Sequence, residues 1–470
     1  MASVLDLVIE GGTVVTGGNA VRADVGVADG RVALIAEPGA LPGDAARRID
    51  ATGRFVVPGG IDAHVHFNIK VTEAMSAQSA TDGSRAAAYG GTTTFIDFAF
   101  QGGDESPVEA IRSKIDELNG QRPHVDYALH LMLTGDLSFA AMDEIPEAVS
   151  GGVSSFKMFT TFAAGSASGD LLSDDGRIWG VMERTARAGG LVQVHCEDDC
   201  IIDYHVRGLY RDGEAGAPNI HRARPPLAEE AAIRRMILLS ERSGCPLYVV
   251  HVSSTLGTEA IRQAKTRRLP VTGEVLHNYL AFTSDNYALT DGLIYHNYPP
   301  LKSKADQATL WAAIADGGLD TVASDDFTIP KAAKLSGPMV DNAPGGHNGV
   351  ETRMNVLFSE GVARGRLTIE RYVELSAENP ARLFGIYPRK GAIAVGSDAD
   401  IIVIDPAVRE TIRLDQLHSD CDYSVWEGWE LEGKVTTTIL RGEVLVQDGE
   451  WVGEDGRGQY VPSGSPLMPR

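Results

Sequence analysis

Apolar residues recur along this chain in two textures. Near the N-terminus, LDLVIEGGTVVT, ADVGVADGRVALIAE and RRIDATGRFVVPG alternate β-branched residues with Gly and Asp turn signals, the mark of short strands. DADIIVIDP and VTTTILRGEVLVQDGEWV repeat that texture near the other end. Two strand-rich ends far apart in the chain predict one small β-sandwich, built from residues 1–57 and 389–455. The middle of the chain is then inserted between them, and 456–470 reads as an extended tail.

The middle, residues 58–388, alternates differently. TTTFIDFAF, YALHLMLTG, SSFKMFTT, GLVQVHCED, PLYVVHVSS, PVTGEVLHN and GLDTVASDD are continuous apolar runs. Helical stretches such as PVEAIRSKIDELNG, EEAAIRRMILLSERSG, GTEAIRQAKTRR and ADQATLWAAIADGG separate many of them. Buried runs between amphipathic helices indicate a parallel sheet covered by helices. With the FVVPGGIDAHVHF segment there are about eight such units. That number predicts an α/β fold with a (β/α)8 TIM-like barrel rather than an open doubly wound sheet. No GxGxxG sits on a strand-to-helix turn, which lowers the dinucleotide alternative.

Composition narrows the function. The chain has 470 residues, 43% hydrophobic and 23% charged, as in a globular protein of one large and one small domain. Its formal charge of −22 argues against nucleic acid or an anionic membrane as partner, because both repel an acidic surface. Cys196, Cys200, Cys245 and Cys421 are too scattered for a disulfide framework; reduced thiols and a cytoplasmic setting are expected. MASVLDLVIEGG lacks a basic n-region and makes a poor signal peptide. No apolar run reaches the ~18 residues that a membrane span requires.

Polar residues fall at the strand ends. His64 and His66 close the first apolar run, His195 ends GLVQVH, His251 ends PLYVVH and Asp325 ends DTVASD. In a barrel of parallel strands those ends converge on one face. Residues i and i+2 of a strand point the same way, so His64 and His66 both face the axis. Imidazole nitrogens completed by a carboxylate suit zinc and similar divalent ions. Any one of these histidines alone reads as a hydrogen-bonded core residue; the joint pattern is what points to metal. His277 and His296 lie near strand ends outside that pattern and read as core, and Cys196 and Cys200 as structural. Lys157, between Phe156 and Met158, is costly in an apolar strand unless neutralised or paired. It is either salt-bridged to a barrel carboxylate or carboxylated by CO2.

HVH after PGGID, the lone lysine of SSFKMF, VHCED, VVHVSS, ASDD and NGVETRM together resemble the cyclic amidohydrolases, dihydropyrimidinase and hydantoinase in particular. The similarity runs from about Gly11 to about Gly449 and includes NPARLFGIYPRKGAIAVGSDADIIVIDP and DYSVWEGWELEGKV. It implies a cytoplasmic homotetramer or homodimer with two divalent ions, zinc by expectation. His64 and His66 would bind one ion, His195 and His251 the other, and carboxylated Lys157 would bridge them. Asp325 would join the first ion and handle protons. Asn348 would hold the ring amide, Tyr298 would meet the ring through its backbone, and Phe67 and Phe162 would shape the pocket. The implied reaction opens a cyclic amide or ureide, a dihydropyrimidine or 5-substituted hydantoin, to an N-carbamoyl amino acid by a metal-activated hydroxide.

Two positions depart from the resemblance. Phe162 stands where many members carry a tyrosine that donates to the oxyanion, and Asp326 where many carry histidine. Allantoinase is the nearest rival activity. A deaminase would hold one metal and lack the lysine. A non-catalytic scaffold would have lost ligands, and here all are retained.

Overall fold

A computed structural model describes residues 5–41, 45–70, 75–163 and 171–469. The first strands are β1 (Leu5–Thr16), β2 (Asn19–Ala28), β3 (Arg31–Ala36), β4 (Ala45–Asp50) and β5 (Phe55–Pro58). The barrel strands follow: β6 (Gly60–Asp62), β7 (Thr92–Gln101), β8 (Asp126–Leu133), β9 (Ser155–Phe159), β10 (Leu191–His195), β11 (Leu247–Val249), β12 (Val271–Leu276) and β13 (Thr321–Ala323). Last come β14 (Ile401–Thr411), β15 (Glu430–Leu440), β16 (Glu443–Gln447) and β17 (Glu450–Trp451).

Strands β6 to β13 pair in sequence order, all parallel. They form the expected barrel, and its helices begin where short polar side chains cap them. Ser79, Ser106, Asp174, Ser254 and Ser303 each accept a backbone N–H of the first helical turn, satisfying a donor the helix leaves unpaired. Closure between β13 and β6 combines a backbone bridge just past the strand ends with side-chain bonds. His66 N donates to Asp326 O at 2.8 Å, and Ser324 N donates to the Asp62 carboxylate at 3.1 Å. Arg353, fully buried, lies 3.2 Å from Asp62 and donates to Val322 O and Thr92 Oγ1. This seam sets the backbone that carries His64, His66 and Asp325.

The strands of both chain ends form one nine-stranded mixed sheet, joined where β5 runs antiparallel to β14. Ile9, Val25, Val32, Ile401, Val403 and Val444, from strands across the whole sheet, gather into a separate core, so the sheet folds over its own inner face. The tail runs along the base of the barrel, where Tyr127 N donates to Gln459 O and Val461 N to Tyr127 O.

A buried ionic cluster fastens the two parts. Lys390 Nζ donates to Asp126 Oδ2 and Asp400 Oδ2, each at 2.5 Å, and lies 3.1 Å from Asp398. Asp126 opens β8 of the barrel, and Arg441 from the end sheet also pairs with it. Burial alone would lower the Lys390 ammonium, but Asp400, Asp126 and Asp398 push it up to about 12. Its stabilisation is therefore complete below the ordinary lysine pKa of ~10.4 and is lost as pH rises through about 12. Lys390→Met removes the buried cation from between the carboxylates and is expected to cost about 3–5 kcal/mol, read as a lowered denaturation midpoint.

Candidate metal centre

Five of the six candidate side chains stand at or just beyond strand ends, and the sixth, Lys157, lies inside a strand. His64 and His66 follow β6, Lys157 is central in β9, His195 closes β10, His251 follows β11 and Asp325 follows β13. All of them line one cavity of about 670 Å³. Asp325 Oδ1 lies 3.2 Å from His64 Nε2 and 3.2 Å from His66 Nε2. The ring centroids of His64 and His251 are 5.6 Å apart, and those of His195 and His251 4.5 Å. Among the described residues, His64, His66 and Asp325 bring three ligand atoms within 4.8 Å of one another, the spacing of a metal site.

Carboxylates behind the histidines fix their orientation. Glu274 takes three donors: His64 Nδ1 at 2.9 Å, His251 N at 2.9 Å and Tyr248 OH at 2.8 Å. Its bond to Nδ1 leaves His64 Nε2 to face the cavity. Glu197 Oε2 accepts from His195 Nε2 at 2.9 Å, which leaves that ring's Nδ1. Carboxylates in this position orient an imidazole and raise its basicity toward a metal. Asn297 Nδ2 donates to Asp325 Oδ2 at 2.8 Å, and Asn297 Oδ1 accepts from Gly346 N at 3.2 Å.

Burial sets the protonation states. It draws the imidazolium of His195 down to about 4, against the opposing pull of Glu197. It draws His66 down despite Asp325, and holds His251 well below the usual range together with His195 and Lys157. Burial alone would raise the Asp325 carboxyl, but His64, His66 and His251 hold it well below the carboxylate range. Burial alone would likewise raise Glu197, but Arg224 and His195 bring it to about 2. Burial brings the Lys157 amine down to about 8, outweighing Asp325 and Glu274. The neutral imidazoles of His66, His195 and His251, an ionised carboxylate and a lysine amine eased toward its neutral form make a donor set that suits divalent ions. His251 Nδ1 is buried without a hydrogen-bond partner, and Lys157 Nζ joins no ion pair among the described residues. Both observations fit a group still to be received.

Four non-glycine residues of the cavity hold left-handed backbone: Asn68 (φ +55°), Phe162 (φ +70°), His251 (φ +40°) and Asp325 (φ +52°). Such strain in non-glycine residues concentrates at functional sites.

The substrate-side expectations divide. Phe162 and Tyr298 line the cavity, with ring centroids 5.3 Å apart. Phe67 and Asn348 do not. Strand alternation that turns His64 and His66 inward turns Phe67 out to the helix layer, where it packs on Phe95 and leaves no room for a Cβ at Gly83. Asn348 is occupied elsewhere: Nδ2 donates to Tyr423 O and Oδ1 accepts from Val425 N. Asp326, the histidine position of many relatives, accepts from Gly349 N, Val350 N, Gln78 and Thr328, and holds the loop that turns Asn348 away. His277, between Ala323 O and Thr352 and stacked on Trp426, stays in the core as expected. Sequence reasoning missed Asn297, Glu197 and Glu274. Glu274 carried a usable signal, a lone acid in the apolar run VTGEVL that mirrors Lys157 in SSFKMF.

Known proteins place this arrangement. Residues 55–445 match the model of the Amidohydrolase family. A D-hydantoinase from Streptomyces coelicolor is 38% identical over 463 residues, covering 97% of each chain. A D-phenylhydantoinase from Escherichia coli is 38% identical over 462 residues, again covering 97% of each. The crystal structure of dihydropyrimidinase from Brevibacillus agri superposes with a TM-score of 0.92 at 33% identity, covering 98% of this chain and 99% of that one. With its barrel, its His-His-Asp cluster and these likenesses over nearly the whole length, the chain belongs to the amidohydrolase family, in the hydantoinase and dihydropyrimidinase branch.

Proposed function

We propose that this enzyme hydrolyses a ring amide bond of a cyclic ureide, a 5-substituted hydantoin or a dihydropyrimidine, to give an N-carbamoyl amino acid. The observation that carries the reading is the convergence of His64, His66, Lys157, His195, His251 and Asp325 on one cavity from five barrel strands. His64, His66 and Asp325 would hold one zinc ion, His195 and His251 a second, and carboxylated Lys157 would bridge them. Two such ions, when bound, make water nucleophilic near neutral pH and polarise the attacked carbonyl.

The chain's own groups do the rest. Asp325, ionised and held at Oδ2 by Asn297, accepts the proton of the attacking water and passes it to the leaving ring nitrogen. Glu274 and Glu197 keep the imidazoles in the tautomers that ligation needs. Phe162 offers no hydroxyl to the developing oxyanion, and the Tyr298 hydroxyl does not replace it, being donated to Ala343 O at 2.8 Å. Met132, Phe159, Phe162, Leu171, Tyr298 and Phe327 give the cavity an apolar flank suited to an aryl or branched substituent. No helix among the described residues is long and apolar enough to cross a membrane, and the cysteines are free, which supports a cytoplasmic enzyme. Tyr204 and Tyr210, exposed on the helix Asp199–Arg211, suit a face covered in a homotetramer or homodimer.

Steady-state rates on 5-phenylhydantoin, hydantoin, dihydrouracil and allantoin test the substrate class. The aryl hydantoin is expected to give the highest kcat/KM and allantoin the lowest; turnover of allantoin alone would overturn the reading. The lysine is tested by reconstitution. CO2 adds only to the neutral amine, so at a fixed concentration of dissolved CO2 the activation of metal-free protein by zinc should speed up as pH rises toward about 8 and then level off. Lys157→Ala should retain little metal and lose nearly all turnover, as read by metal analysis and assay on the same sample.

A further inference from the structure

Arg224 lies outside the cavity and belongs to no step above, yet it touches two parts of the site at once. It is 7% exposed. Its Nη1 pairs with Glu197 Oε2, the same oxygen that accepts from His195 Nε2. Its guanidinium carbon lies 4.4 Å from the Tyr298 ring centroid and 5.0 Å from that of Phe162, behind the rings that wall the cavity. Phe162 in turn packs edge-on against His195, with centroids 4.9 Å apart. The arginine is itself held in place, its carbonyl accepting from Lys302 Nζ, itself buried.

A guanidinium suits both contacts because its N–H edge meets a carboxylate while its planar face stacks on an aromatic ring. Glu197 Oε2 is held by two donors, Arg224 and His195, and Oε1 by none, so without the guanidinium the carboxylate keeps only His195 as a side-chain hydrogen-bond partner and no longer fixes the direction of that ring. Without the flat face, Phe162 and Tyr298 would lose the surface they rest on. On the ring-opening reading above, we infer that Arg224 is a positioning and specificity residue: through Glu197 it holds His195 in its ligating tautomer, and through Phe162 and Tyr298 it shapes the wall that receives the ring substituent.

Two variants separate the roles. Arg224→Lys keeps the charge beside Glu197 but not the planar support; Arg224→Met loses both. Zinc retention is read by competition with a chromophoric chelator, and KM and kcat on hydantoin and 5-phenylhydantoin. Arg224→Met is expected to weaken zinc binding about 10–100-fold, the usual loss when a ligand's outer partner is disturbed. Arg224→Lys should hold zinc within about threefold of wild type, while its KM for 5-phenylhydantoin rises about tenfold more than its KM for hydantoin. The inference fails if Arg224→Met keeps its zinc, or if Arg224→Lys shifts both substrates alike. A wild-type enzyme idle on every cyclic ureide would contradict the ring-opening reading instead, and the chelator competition would still decide whether Arg224 supports His195.

Discussion

Imidazoles at the mouth of a barrel are useful to a metal only while neutral and correctly turned. Burial secures the first condition by disfavouring the charged ring, which brings His195 to about 4. Carboxylates beneath the ligands secure the second. Glu274 sets His64 and also fixes the backbone of His251, and Glu197 sets His195. Each carboxylate needs its own partner, Tyr248 for Glu274 and Arg224 for Glu197. The site is therefore a chain of dependencies running from the cavity into the barrel wall.

The fold serves that requirement at the seam. Asp62 and Arg353 bring β6 against β13, and this contact sets His64 and His66 opposite Asp325. The left-handed backbone at His251 and Asp325 places these side chains just past their strand ends. Strain of that kind persists only when the surroundings over-determine it. Here the His251 amide is bonded to Glu274 and the Asp325 carboxylate to Asn297.

Much of this was legible in the chain. Continuous apolar runs between helical stretches predicted the barrel strands, and a shared β texture predicted that both ends build one small β-sandwich, which takes the form of a single nine-stranded sheet. The period of two placed His64 and His66 together, and the strand-end rule gathered His195, His251 and Asp325. The same alternation also predicts that Phe67 points outward, against its expected place in the pocket. Asn348 could not be placed, because its direction depends on a loop held by Asp326, distant in sequence. Glu197, Arg224 and Asn297 were silent for the same reason: each acts through a partner that only the folded chain brings near. Glu274 differed, since an acid inside an apolar strand demands a partner as plainly as Lys157 does.

On the proposed function this cavity holds two ions joined through Lys157. Anomalous X-ray scattering from crystals of zinc-loaded protein tests it most directly. The account predicts two peaks about 3.5–4 Å apart, one at His64, His66 and Asp325 and one at His195 and His251, with density for a carboxylated Lys157 between them. A single peak at His64, His66 and Asp325, beside an unmodified lysine amine, would contradict it.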